Sequence, residues 1–271
     1  MPSSRGDVHR GRLAEFDIVH CHVDHPAFLL GRLSPVPFVH TIHGRLDLPG
    51  LCEAFGAFPD AALVSISDAQ RAPFAGVRLN WRATVYHGLP AEHIPATHGD
   101  GRGGYLAFLG RLSREKRPDL AIAVAHEVGI PLRIAAKTDP FDEEYFQSEI
   151  RPLIDGTFIQ YLGEIGDDEK PKFLGDAICL LFPVDWPEPF GLAMIEALAC
   201  GAPVVSRPCG SVPEVVVHGE TGWIGRTVAE LAEGVRRAER MDRARCRADA
   251  LARFSVTAMT DGYERVYRSL G

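Results

Sequence analysis

The regular alternation of short β-branched or aromatic runs with helix-patterned stretches constrains this chain more than any other feature. Such alternation is the signature of repeated βαβ units and a parallel sheet, so the fold class is α/β. Strands are expected at 16–22, 37–42, 61–66 and 82–86, and after residue 100 at 105–109, 132–136, 157–161, 178–182 and 203–205. Helices fill the gaps. Leu120, Val124 and Val128 recur at i, i+4 and i+8 and stop at Gly129, while Ser67-Asp68-Ala69-Gln70 reads as a capping-box start. Residues 88–104, GLPAEHIPATHGDGRGG, carry no periodicity and are dense in Gly and Pro, which marks a connection between two α/β units. The expected division is 1–98, 99–255, and a final helix over 256–271 that packs back on the first unit.

Charge and apolar content narrow the partners. With 29 Lys+Arg against 36 Asp+Glu the net charge is -7, so no nucleic-acid partner is expected, although a local phosphate site is compatible with it. No stretch approaches the ~20 apolar residues of a membrane span, and MPSSRGDVHRGRLAEFD lacks the apolar core of a signal peptide. The 6 cysteines form no C-x-x-C pair, which fits reduced thiols and a cytoplasmic location. Near the end, Arg236, Arg237, Arg240, Arg243, Arg245 and Arg247 alternate with Glu239, Asp242 and Asp249. A solvated helical face is expected there, with peripheral contact to an anionic membrane surface as the competing reading.

The segment from Asp185 to Pro203, DWPEPFGLAMIEALACGAP, carries the most chemistry. Pro187 and Pro189 stiffen a loop after the strand at 178–182, and a helix is expected to begin near Phe190. Its first N–H groups, at Phe190, Gly191 and Leu192, can approach an anion closely. Glu196 is the one polar side chain between Gly191 and Cys200, on a helix expected to be buried all round, so it should meet donors: ribose hydroxyls, an internal cation or backbone groups. Glu188 lies on the preceding loop. Paired carboxylates also suit glycoside hydrolysis, but a carboxylate sequestered on a helix does not flank a scissile bond.

A second constellation is Gly110-Arg111-Leu112-Ser113-Arg114-Glu115-Lys116, read as a strand, a tight turn at Gly110 and then cations. Arg111 as a fork and Lys116 as a point charge are well placed to hold a diphosphate, with solvated surface cations as the alternative reading. The histidines His20, His22, His25, His40 and His43 form a third group, readable as satisfied polar side chains, a zinc site or cleft-lining residues. His43 ends a strand and is the first choice for a ligand contact, His22 the second, because open parallel sheets bind ligands beyond strand C-termini. No D-x-D, G-x-S-x-G or H-E-x-x-H occurs.

Together FLGRLSREKRPDLAIAVA (108–125), PLRIAAK (131–137), YLGEIGDDEK (161–170), FPVDWPEPFGLAMIEALACGAPVV (182–205) and GSVPEVVVHGETGWI (210–224) resemble the retaining nucleotide-sugar glycosyltransferases of family four. The resemblance implies the GT-B fold of two facing Rossmann-like domains and transfer of a sugar from a nucleotide diphosphate sugar to a hydroxyl acceptor. It implies retention, no metal, and no cofactor beyond the donor substrate. Carried over by residue, Gly110, Arg111 and Lys116 serve the donor diphosphate, Glu196 the ribose, Glu188 and His43 the transferred sugar. Phe190, Gly191 and Leu192 line sugar and phosphate through their N–H groups, and Ile165 lies on the donor side. Family members carry a strand, a Gly-rich loop and a long helix ahead of the FDIVH strand, so the N-terminal domain is expected to be incomplete and its first strand an exposed edge, suited to a second copy or a partner subunit. The alternative from another class is an inactive or partner-dependent nucleotide-sugar-binding remnant.

Overall fold

The computed structural model describes residues 13, 15–90, 94 and 99–270. It comprises two compact units, one of residues up to His87 together with Thr257 onward, the other of Gly88–Val256. The division follows His87, ahead of the 98/99 position; residues 91–93 and 95–98 lie outside the described residues. Gly88 runs so close to the backbone of Ser255 that a Cβ would collide with it.

The first unit holds four parallel strands, β1 (Val19–Cys21), β2 (Phe38–Thr41), β3 (Ala62–Ser65) and β4 (Asn80–Thr84), in the order β1-β2-β3-β4. Because side chains alternate along a strand, neighbouring positions serve different layers. Leu63 packs with Phe28 of α1 (Phe28–Leu33), Phe55 of α2 (Leu51–Gly56) and Phe74 on the same side of the sheet. Val39, Val64 and Val85 instead pack with Val266 of the last helix, Val256–Arg268. Among the described residues β1 pairs with β2 alone and is an edge.

Ser67 makes half of the expected capping box, accepting from Gln70 N at 3.0 Å. The reciprocal half is absent: the buried Gln70 amide accepts from Ile66 N and donates to the carbonyls of Ile42 and Gly44, satisfying strand ends, and the following Ala69–Phe74 is a 3-10 helix containing Pro73.

The second unit has six parallel strands, β5 (Leu106–Arg111), β6 (Leu132–Lys137), β7 (Ile159–Gly163), β8 (Leu180–Phe182), β9 (Val204–Ser206) and β10 (Gly222–Ile224). Their order, β10-β9-β8-β5-β6-β7, is that of a doubly wound nucleotide-binding sheet. β10 lies outside the expected strands: it contains Gly222 and follows directly on Gly219-Glu220-Thr221, which reads as a turn. Helix α3 (Pro118–Val128) ends as its periodicity predicts at Gly129, φ 72°, whose N–H reaches the carbonyls of Ala125 and His126.

Helices α4 (Lys170–Asp176), α5 (Leu192–Ala199), α6 (Val228–Ala238) and α7 (Arg243–Arg253) also belong to this unit. The basic stretch is not one solvated face. Arg243 donates to the carbonyls of Gly175 and Ala177 at the end of α4, and Arg247 to those of Ala199, which ends α5, and Ile94. These guanidiniums satisfy carbonyls that a helix C-terminus leaves orphaned. Arg236, Arg237 and Arg245 pair with Glu233 and Glu220 on the surface. No helix among the described residues is long and apolar enough to cross a membrane.

Candidate functional site

The strand order of the second unit reverses between β5 and β8, and loops leaving the C-terminal ends of two such strands open a crevice for ligands. The loop after β5 closes its turn at Ser113–Lys116, where Lys116 N donates to Ser113 O at 3.1 Å. The turn expected at Gly110 is therefore displaced: Gly110 and Arg111 continue β5, paired with Ala136 and Lys137 of β6. The loop after β8 is tied to it by Asp185 N, which donates to Glu115 O at 2.8 Å. The Asp185 carboxylate binds Arg207 and Arg117, whose guanidiniums hold it below the usual carboxylate range.

This junction brings Lys116 and Glu188 together as a hydrogen-bonded ion pair with side chains 13% and 8% exposed. Trp186 Nε1 donates to the same Glu188 Oε2 at 2.9 Å, and the Lys116 ammonium lies 5.2 Å from the Phe182 ring centroid and 5.1 Å from that of Trp186. Both faces lend cation–π attraction to a charge held largely away from water. Ser211 N donates to Glu188 O at 2.9 Å, and Gly210, at φ +57°, passes so near that a Cβ would strike the Glu188 backbone.

Helix α5 begins at Leu192, two residues after the expected start, because Gly191 occupies the left-handed region at φ 81° and Phe190 is turned into the core with its carbonyl accepting from Ser211 Oγ. A Cβ on Gly191 would lie 3.2 Å from the Phe182 ring, so Gly191 and Lys116 flank one aromatic ring. α5 is not buried all round. Leu192 is 49% exposed, and Glu196 accepts from Lys170 Nζ at 3.1 Å, which also meets Asp167 at 2.8 Å. Lys170 and Trp186 were not marked by sequence. One sits in an acid-rich surface run, the other among prolines, and only the packing gives them partners.

Arg111 stands apart from the Lys116 pair. Its half-exposed guanidinium lies 3.9 Å from Asp142 and lines a cavity of about 340 Å³ with Ser113 and Tyr145. Ile165 is half-buried on the loop after β7.

His43 lies in the first unit, where the ends of β1, β2 and β4 bring imidazoles together. His22 Nδ1 and His43 Nε2 are 2.8 Å apart, His43 stacks on His87 at 5.4 Å, and His20 lies 4.1 Å from His22. A hydrogen bond between two imidazole nitrogens needs one donor and one acceptor, so His22 and His43 share one proton along it. Burial first, then the neighbouring imidazoles, pushes His20 and His87 down to about 4; His43 is lowered by burial and His22 against the opposing Asp24. Among the described residues no three His, Cys, Asp or Glu side chains are arranged to hold a metal ion.

Residues 92–253 match the family model described as Glycosyl transferases group 1. Glycogen synthase of Mycobacterium tuberculosis is 30% identical over 248 residues, covering 81% of this chain and 59% of the relative, so the chain spans less than two thirds of that relative's length. D-inositol 3-phosphate glycosyltransferase of Mycolicibacterium smegmatis is 24% identical over 312 residues, 92% of this chain and 67% of the relative. Among solved structures, Anabaena HepE in complex with UDP and glucose aligns with a TM-score of 0.80 at 20% identity, over 98% of this chain and 81% of that one. That likeness establishes the α/β GT-B fold.

Proposed function

From a chain that belongs to the glycosyl transferases group 1 family, we propose a glycosyltransferase of the retaining family-four type that moves a sugar from a nucleotide diphosphate sugar to a hydroxyl acceptor. The observation that carries this reading is the Lys116–Glu188 pair set beside Gly191 at the switch between β5 and β8. A buried ammonium next to backbone N–H groups suits a leaving diphosphate, whose developing charge it stabilises without a metal. Glu188 can accept from sugar hydroxyls and Glu196 from the ribose. Arg111, half-exposed and held only at 3.9 Å by Asp142, can swing to the phosphates. Gly110 and Ile165 are read as lining the donor side, and the sequence resemblance assigns His43 to the transferred sugar. The second unit is read as the donor-binding domain and the first as the acceptor-side domain.

The complexes of HepE with UDP and with UDP-glucose support testing uridine donors first. A thermal-shift panel of UDP, GDP and ADP sugars should raise the melting temperature for one base series, since a ligand of the folded state stabilises it by mass action. Turnover of that donor with a hydroxyl acceptor should give a product of unchanged anomeric configuration by NMR. A panel in which no nucleotide sugar shifts the melt overturns the reading.

A further inference from the structure

The loop that carries Glu188 holds a second side chain on its carboxylate. Trp186 Nε1 and Lys116 Nζ both donate to Oε2, and among the described residues no donor is directed at Oε1. Indole and carboxylate are locked on one three-residue turn, because Glu188 N donates to Trp186 O at 2.7 Å across Pro187. The two donors are not equivalent. A lysine ammonium is a mobile point charge that an arriving diphosphate attracts, whereas an indole N–H is a neutral donor on a rigid ring and carries no charge to be attracted. Once Lys116 turns to phosphate, Glu188, 6% exposed, loses its cation.

We infer that Trp186 is a positioning residue: its indole N–H fixes Glu188 Oε2, so that Oε1 faces a hydroxyl of the transferred sugar while Lys116 is released to the diphosphate. This rests on the donor-site reading above. It makes the Trp186 N–H matter for the sugar and not for the nucleotide, since a Phe in its place keeps an aromatic face toward Lys116.

The test is calorimetric titration of the full chain with UDP, GDP and ADP and with the glucose conjugate of each. For the base that binds, Trp186→Phe should weaken the conjugate about tenfold and the free diphosphate less than about twofold, the loss of one hydrogen bond to a charged group. Trp186→His, which retains a ring N–H, should recover part of the affinity, and in a Glu188→Ala background Trp186→Phe should have no further effect. Equal weakening of conjugate and diphosphate, no weakening, or additive losses in the double variant would overturn the role of Trp186. A wild-type chain that binds none of the diphosphates overturns the donor-site reading, and this inference with it.

Discussion

Lys170 Nζ lies 3.1 Å from Glu196 Oε1 and joins α4 to α5, the two side chains being 26% and 20% exposed. At that exposure the pair adds roughly 0–1 kcal/mol to stability, so its main consequence is to aim the carboxylate. Glu196→Ala should therefore weaken nucleoside diphosphate binding by roughly 10–100-fold, and Lys170→Met by a few-fold, with little change in unfolding midpoint. Calorimetry and urea melts on the same samples check both; intact affinity in Glu196→Ala would remove the residue from the site.

Removing Lys116 has a different signature. Lys116→Ala leaves the Glu188 carboxylate buried without its cation, a change that destabilises by about 2–4 kcal/mol at this burial. Adding Glu188→Ala should restore much of that stability while nucleotide-sugar binding stays lost. Urea denaturation of the two variants reads the first effect and titration the second; a double variant no more stable than Lys116→Ala would show that the pair is not the cause.

Acid should loosen the first unit. His20, His40 and His87 are pushed from 6.5 to about 4, with burial the leading cause for each. Their folded values lie below their unfolded ones, so their neutral forms support the fold fully above pH 6.5, and that support is lost as pH falls from 6.5 toward 4. The urea midpoint should drop across this window, and His40→Leu, which replaces a buried imidazole packed on Phe28, should flatten the drop. An unchanged slope in His40→Leu would assign the acid sensitivity elsewhere.

Gly210→Ala should displace the Glu188 loop. The position combines φ +57° with a close approach to the Glu188 backbone, which cannot yield as a flexible side chain would. A destabilisation of about 1–3 kcal/mol is expected, together with loss of discrimination between nucleotide sugar and free diphosphate. Gly191→Ala should be milder, because one of its obstacles is the mobile Met194 methyl group at 2.7 Å. Equal effects of the two substitutions would argue against this ranking.

Sequence periodicity determined the parallel α/β layering, because alternating apolar runs and i, i+4 stripes admit few other packings. Glu188 and Lys116 were legible as a proline-stiffened carboxylate and a cation after a strand. Tertiary structure decided what those residues do to one another. The reversal of strand order between β5 and β8 puts two loops 72 residues apart in sequence side by side, so Lys116 meets Glu188 while Arg111 turns to Asp142. Trp186 and Lys170 gained partners, and Arg243 and Arg247 became helix caps, for the same reason. A hydrogen bond depends on atoms within about 3 Å, and no local pattern in a chain records which distant segment will supply them.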